Sequence, residues 1–188
     1  MRLSKPRISP LQDGEMNDEQ REALEPMAQG GRVINIFRTL ARAPKALTRF
    51  QQWGAYVLSR RNSLPARERE IVILRVGFLC KSGYEFTQHT AIGLREGLSR
   101  EEIAAIKTGA DAGNWTPAEQ ALIRASDELV HDFFVSDATW AALGQHFDEK
   151  QCMDVVFTAG KYTQVSMFLN SFGVQLEPGA VLDPDLRA

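Results

Sequence analysis

The chain has 188 residues, a formal net charge of −2 and 44% hydrophobic residues, which fits one domain with a sizeable core. The weak charge gives no electrostatic reason to expect binding to nucleic acid or to an anionic membrane. No apolar run approaches the roughly 18 residues of a membrane span, and the first residues lack the apolar part of a secretory signal, so we expect a cytoplasmic protein.

The first third of the chain predicts an arm followed by scaffold helices. Residues 1–14 hold two prolines and no helical periodicity, and Asn17 or Asp18 can cap a short helix that ends before residue 31. We assign residues 1–33 to this N-terminal region. A new helical pattern begins at Ile34, Pro44 resets it, and the apolar stripe of the next helix, to about Arg60, is typical of a core-facing surface.

Two adjoining helices, predicted over residues 65–81 and 83–96, carry the polar groups of greatest interest. The first is apolar almost all round, which indicates a buried helix, yet it contains Glu70 and Arg75. A buried carboxylate must be paired or protonated, so Glu70 is either a structural ion-pair partner or a functional acid.

The second helix places Glu85 and His89 four residues apart, on one face, with Tyr84 beside that face. A neighbouring carboxylate favours a protonated imidazole, and such a pair can move a proton near neutral pH. The alternative interpretation is a helix-surface pair, or a core histidine whose hydrogen bonds are satisfied.

Helix-start signals recur after this pair. Ser99 with Glu102 and Thr116 with Glu119 form capping boxes, and Ser136 and Asp148 can cap two further helices, the last of which runs to about residue 172. Asp127 and His131 are again four apart, as a structural pair or as part of a pocket rim. No segment alternates like a strand, so we predict a single all-α domain of about eight helices over residues 34–175, with an irregular tail over residues 176–188.

The segment from residue 67 to residue 103 resembles the carboxymuconolactone decarboxylase family, which includes the alkylhydroperoxidase D-like proteins. The residues that carry the resemblance are Arg67-Glu68-Arg69-Glu70, Ile71 to Arg75, Cys80, Tyr84-Glu85-Phe86, His89, Gly97-Leu98-Ser99 and Glu101-Glu102-Ile103. It extends from about residue 35 to residue 174 and implies a helical bundle that assembles as a homo-oligomer, such as a dimer, trimer or hexamer.

The redox branch of that family has a Cys-x-x-Cys-x-x-x-His motif, with a glutamate twelve residues before the first cysteine. With the histidine aligned on His89, Glu70 matches that glutamate, but Ser82 and Glu85 stand where the cysteines would be. The chain therefore resembles the non-redox branch, whose named reaction is decarboxylation of a carboxylated lactone.

The resemblance and the residues together predict a lyase that acts by proton transfer on a small lactone acid or carbonyl acid. His89 would be the general acid–base, Glu85 would orient it or share its proton, and Glu70 would be a second relay carboxylate. Tyr84 would donate to a developing enolate oxygen in a dry site. Arg75 would bind the substrate carboxylate, or would instead neutralise Glu70.

Two other functions remain open at this point. A peroxiredoxin-like activity would need Cys80, which lies nine residues before His89 and has no resolving partner in the sequence; we expect both Cys80 and Cys152 to be small buried side chains. The third possibility is a non-catalytic oligomer that binds a small hydrophobic ligand.

The sequence gives no reason to expect a cofactor. His89 with Glu85 or Glu70 could supply two metal ligands, but the usual clustered histidine spacing is absent, and we predict no metal.

Overall fold

The computed structural model describes residues 1–29 and 31–187. Over these residues it is all-α, with nine helices, two short 3-10 turns and no strand, which confirms the predicted fold class. The helices are α1 (Asp18–Ala28), α2 (Asn35–Leu40), α3 (Pro44–Val57), α4 (Ala66–Leu79), α5 (Gly83–Arg95), α6 (Arg100–Thr108), α7 (Pro117–His131), α8 (Asp137–Gly144) and α9 (Glu149–Phe172).

Helix α4 is the centre of the fold. Its residues 70–77 are all buried, because α5, α6, α7 and α9 surround it. A helix that is apolar on every side loses water contact only when neighbours cover it completely, and four helices do so here. The two polar side chains in this stretch, Glu70 and Arg75, are therefore placed in the interior.

The helix starts follow the local sequence. Ser99, Thr116 and Asp148 each close a reciprocal capping box with the residue three positions later, and Ser136 caps α8. Each cap supplies an acceptor to a free backbone N–H, which is typically worth about 1 kcal/mol. These caps fix where α6 to α9 begin.

The two ends of the chain pack against each other. The N–H groups of Arg7 and Ile8 donate to the carbonyl of Phe172 at the end of α9, and the Gln175 amide donates to the carbonyl of Leu3. The chain leaves α9 through Gly173, whose φ is +68°, and a Cβ there would lie 2.8 Å from the carbonyl oxygen of Lys5. The left-handed backbone and the close approach both require glycine at this position.

Within residues 1–29 and 31–187, no helix combines the length and the apolar character that crossing a bilayer requires.

Candidate active site

Glu70 and His89 form the centre of the site. Glu70 comes from α4 and His89 from α5, and Glu70 Oε2 lies 2.7 Å from His89 Nδ1. Both side chains are buried, at 1% and 8% exposure. The sequence predicted that Glu85, on the same helix, would orient His89. The hydrogen-bond partner of His89 is instead Glu70, because α4 packs directly against this face of α5.

Glu85 lies beside this pair and is buried. Its Oε2 accepts a hydrogen bond from Ser166 Oγ at 3.1 Å, and its Oε1 has no hydrogen-bond partner among the described residues. Burial raises the pKa of the Glu85 carboxyl well above its usual range, and the Ser166 hydrogen bond opposes this only in part. Burial therefore favours the protonated form of this carboxyl group.

Tyr84 is held by the segment that follows α9. Its hydroxyl donates to Glu177 Oε1 at 2.6 Å, and the Gln88 amide donates to Glu177 Oε2 at 2.5 Å. Glu177 also accepts the backbone N–H of Asn35, at the start of α2. Burial and the Glu177 carboxylate raise the pKa of the Tyr84 phenol. Tyr84 thus reaches the site, but its hydroxyl proton already forms the hydrogen bond to Glu177.

Arg75 is not part of the site, which corrects its predicted role. Its Nε donates to Asp127 Oδ1 at 2.5 Å, and its Nη1 donates to the carbonyls of Ile106 and Lys107 at 2.7 and 2.9 Å. It therefore neutralises Asp127 rather than Glu70 and holds the end of α6. The predicted Asp127–His131 pair is likewise replaced: the His131 ring contacts the backbone carbonyl of Asp127.

A cavity of about 290 Å³ lies beside these groups, between α2, α3, α5 and α9. Its size is near the lower limit of small-molecule sites, and its wall is mostly apolar. The polar and titratable side chains that reach it are Gln51, Tyr84, Glu85, Gln88, His89, Lys161 and Tyr162.

Tyr162 and Lys161 were not predicted as site residues. The Tyr162 ring packs edge-on against the His89 ring with centroids 4.8 Å apart, and burial, with the Glu70 charge nearby, raises the pKa of its phenol well above the usual value. Lys161 is 4% exposed; its Nζ donates to the carbonyl of Phe50 at 3.0 Å and lies over that ring. Burial lowers the pKa of Lys161 to about 7. A signal existed, since Lys161 is the one charged residue in the sequence from 155 to 172.

The two cysteines are not positioned for thiol chemistry. Cys80 is half-buried and does not line the cavity, and burial raises the pKa of its thiol. Cys152 is buried, and burial raises the pKa of its thiol as well. Ser82, at the position of the first redox cysteine, is fully buried at the start of α5. A thiolate is the reactive form of cysteine, and this environment disfavours it at Cys80.

Residues 44–128 match the sequence model of the carboxymuconolactone decarboxylase family. This segment is similar to members of that family. It runs from α3 into α7 and includes Glu70, Tyr84, Glu85 and His89. Helix α9 lies outside it, so Lys161 and Tyr162 come to the site from beyond the matched residues. No protein of curated function matches the chain.

Solved structures share the fold. An uncharacterised peroxidase-related protein from Ralstonia eutropha JMP134, with an alkylhydroperoxidase AhpD core, is 19% identical and covers 91% of this chain and 93% of its own, with a TM-score of 0.77. A peroxidase-related protein from Silicibacter sp. TM1040 is 15% identical and covers 95% of this chain and 93% of its own, with a TM-score of 0.77. The debrominase Bmp8 in complex with 2,3,4-tribromopyrrole is 13% identical and covers 93% of this chain and 94% of its own, with a TM-score of 0.74.

Chemically, the arrangement is an acid–base centre. It brings together a carboxylate–imidazole pair, a second carboxyl group whose burial favours the protonated form, and a phenol, beside one mostly apolar cavity. In the described part of the chain, no three His, Cys, Asp or Glu side chains cluster in a way that could hold a metal ion.

Proposed function

We propose that this protein decarboxylates a small unsaturated lactone acid or carbonyl acid by proton transfer. The observation that carries the proposal is the buried hydrogen bond between Glu70 and His89 Nδ1, because the other ring nitrogen, Nε2, has no hydrogen-bond partner among the described residues and belongs to a side chain that lines the cavity. An imidazole held in this way can exchange a proton with a bound molecule.

The reaction needs one proton and one site for negative charge. When the bond to the leaving carboxylate breaks, CO₂ departs and the electron pair moves through the adjacent double bond onto the lactone carbonyl oxygen. His89, as an imidazolium, then protonates carbon from Nε2 and becomes neutral, and a proton from solvent restores it. Glu70 compensates the imidazolium charge inside the protein.

Two protonated groups can stabilise the developing oxyanion. Burial raises the pKa of both Glu85 and Tyr162, which favours their protonated forms, and both side chains reach the cavity. Donors already fixed in a dry site stabilise charge without reorganising as it develops. We therefore assign the role first predicted for Tyr84 to Tyr162 and Glu85, since the Tyr84 hydroxyl donates to Glu177.

The family and its fold neighbours support this proposal. The matched family takes its name from the decarboxylation of a lactone acid. A neighbour of the same fold was crystallised with tribromopyrrole, a five-membered ring like that of a lactone. A peroxidase function is less well supported, because Cys80 does not line the cavity and its thiol pKa is raised. Self-association and the cellular compartment remain predictions.

The test is an assay of the purified protein with carboxymuconolactone, and in parallel with an organic hydroperoxide and a dithiol. We expect CO₂ release that is lost in His89→Ala and kept in the control His146→Ala, which removes an exposed imidazole just after the end of α8. Hydroperoxide turnover that is abolished by Cys80→Ser would overturn the proposal in favour of thiol chemistry.

A further inference from the structure

Lys161 is a buried cation with no opposite charge beside it. Its Nζ has one hydrogen bond, to the carbonyl of Phe50, and no carboxylate among the described residues lies within ion-pair distance. A buried charge without a partner is costly, so such an amine either loses its proton or takes an anion as its partner. An anion beside Lys161 would therefore complete the site.

A second, larger groove leads to the same side chain. It measures about 660 Å³, lies along α3 and α9, and shares Phe50 and Lys161 with the inner cavity, so these two side chains form the boundary between the two spaces. The other charged residues of the groove are Arg42 and Arg49, and no Asp or Glu from the described residues lines it. A groove with cations alone raises the local concentration of anions.

The inner cavity does not repel an anion. Glu70 is paired with His89, and the burial of Glu85, with no cation from the described residues beside it, disfavours its charged form. Lys161 is therefore the uncompensated charge of the cavity, and the remainder of the wall is mostly apolar. This charge pattern suits a small apolar body that carries one carboxylate toward α9.

We propose that Lys161 binds a carboxylate that the ligand keeps throughout the reaction, after the ligand enters by way of the groove containing Arg42 and Arg49. An ammonium on the departing carboxylate would stabilise the ground state and slow CO₂ loss, so the carboxylate at Lys161 must be a second one. That the ligand keeps this carboxylate rests on the proposed function, whereas the anion site itself does not.

The pH dependence gives a specific signature. Because the pKa of Lys161 is about 7, much of the amine is neutral at pH 8, and binding a carboxylate should then take up close to one proton. The titratable and charged groups that line the two spaces with Lys161 are Arg42, Arg49, Tyr84, Glu85, His89 and Tyr162. A histidine side chain can also take up a proton in this pH range, so His89→Ala is the control for proton uptake.

The probe is cyclopentanecarboxylate, a non-reactive ring acid, with cyclopentanecarboxamide as its uncharged match, both measured by calorimetry at pH 6.5 and pH 8. We expect the wild type to prefer the acid, and Lys161→Met to weaken acid binding at least tenfold while amide binding is unchanged. Lys45→Met, the same substitution at an exposed position of α3, should bind like the wild type. Proton uptake at pH 8 should persist in His89→Ala and vanish in Lys161→Met.

Equal binding of acid and amide by the wild type, binding of neither, or an acid affinity unchanged in Lys161→Met would each overturn the proposal. Proton uptake is measured on the wild type, so a value near zero at pH 8 overturns it even if the variant does not fold. Carboxylate binding without CO₂ release would refute the proposed reaction but keep the site. CO₂ release with an unchanged KM in Lys161→Met would refute the anion site at Lys161 but keep the proposed reaction.

Discussion

Glu70 Oε2 and His89 Nδ1 lie 2.7 Å apart and join the two central helices of the fold at a buried point. A carboxylate can only accept a hydrogen bond, so the proton of this bond resides on Nδ1. This fixes the tautomer of the neutral ring and makes Nε2 the nitrogen that exchanges protons with the cavity. Orientation and charge compensation of His89 therefore both depend on a residue of α4.

The first prediction concerns Glu70→Gln. The amide oxygen can still accept the Nδ1 hydrogen bond, but a neutral side chain no longer stabilises the imidazolium, so we expect kcat to fall about 100-fold with KM little changed. The measurement is steady-state CO₂ release. Glu101→Gln, at an exposed position of α6, is the matched control and should be unaffected. A kcat within twofold of the wild type in Glu70→Gln would remove Glu70 from the mechanism.

The second prediction concerns Gly77 of α4, whose missing side chain leaves room for the Glu85 carboxyl group. A Cβ at Gly77 would lie 2.9 Å from Glu85 Oε1, so either the carboxyl group or the helix must move. We expect Gly77→Ala to cost roughly 1–3 kcal/mol of unfolding free energy and to reduce kcat, because a buried acid is displaced in a closely packed core. Urea unfolding and CO₂ release measure the two effects.

Gly160→Ala is the control for this change. Gly160 lies within α9 and has no atoms within 4 Å of the position of an added Cβ. Alanine there should stabilise the protein by up to about 1 kcal/mol, since it lowers the entropy of the unfolded chain and favours helix. If Gly77→Ala behaves in the same way, the contact with Glu85 does not constrain the site.

The third prediction separates Arg75 from the chemistry. Arg75→Met leaves the Asp127 carboxylate and the carbonyls of Ile106 and Lys107 without their donor. We expect a loss of roughly 2–3 kcal/mol in unfolding free energy, with kcat and KM per folded molecule unchanged. Arg124→Met, which breaks an exposed pair with Asp111, should cost under about 1 kcal/mol. A raised KM in Arg75→Met would instead restore the role predicted from the sequence.

The helices were predictable because their signals are local. Ser99, Thr116 and Asp148 are N-caps, and each is followed three residues later by its capping-box partner. The apolar content of α4 alone indicated that this helix is buried. The partner of His89 was not predictable in this way. Spacing within α5 pointed to Glu85, whereas the packing of α4 against α5 brought Glu70 to the ring.

The remaining site residues depend on tertiary packing. Tyr162 meets His89, and Glu177 meets Tyr84, across 73 and 93 positions of the sequence. No periodicity within one helix reports such a contact. Lys161 was not predicted either, although the sequence contains a signal for it: it is an isolated charge in the apolar part of α9.

The fourth prediction follows from Lys161. Its pKa is lowered from 10.5 in the unfolded chain to about 7 in the fold, so between these values the unfolded chain binds one more proton and stability rises with pH. Lys161→Met removes this dependence. We expect the variant to be more stable than the wild type by roughly 2 kcal/mol at pH 6.5, with a difference that shrinks toward pH 10. A difference independent of pH would mean that Lys161 stays charged in the fold.

The last prediction concerns Glu85, whose pKa is raised above the ordinary value of 4.5. A carboxyl group of this kind contributes stability that is complete below pH 4.5 and is lost as pH rises through the pKa of the folded state, because the unfolded chain ionises first. Glu85→Gln cannot ionise, so we expect its stability relative to the wild type to increase above pH 4.5, by at most about 1.4 kcal/mol per pH unit. Urea unfolding at pH 4.5, 5.5 and 6.5 measures this, with Glu101→Gln as the control. A relative stability that stays constant over this range would show that Glu85 is ionised in the fold and cannot donate to an oxyanion.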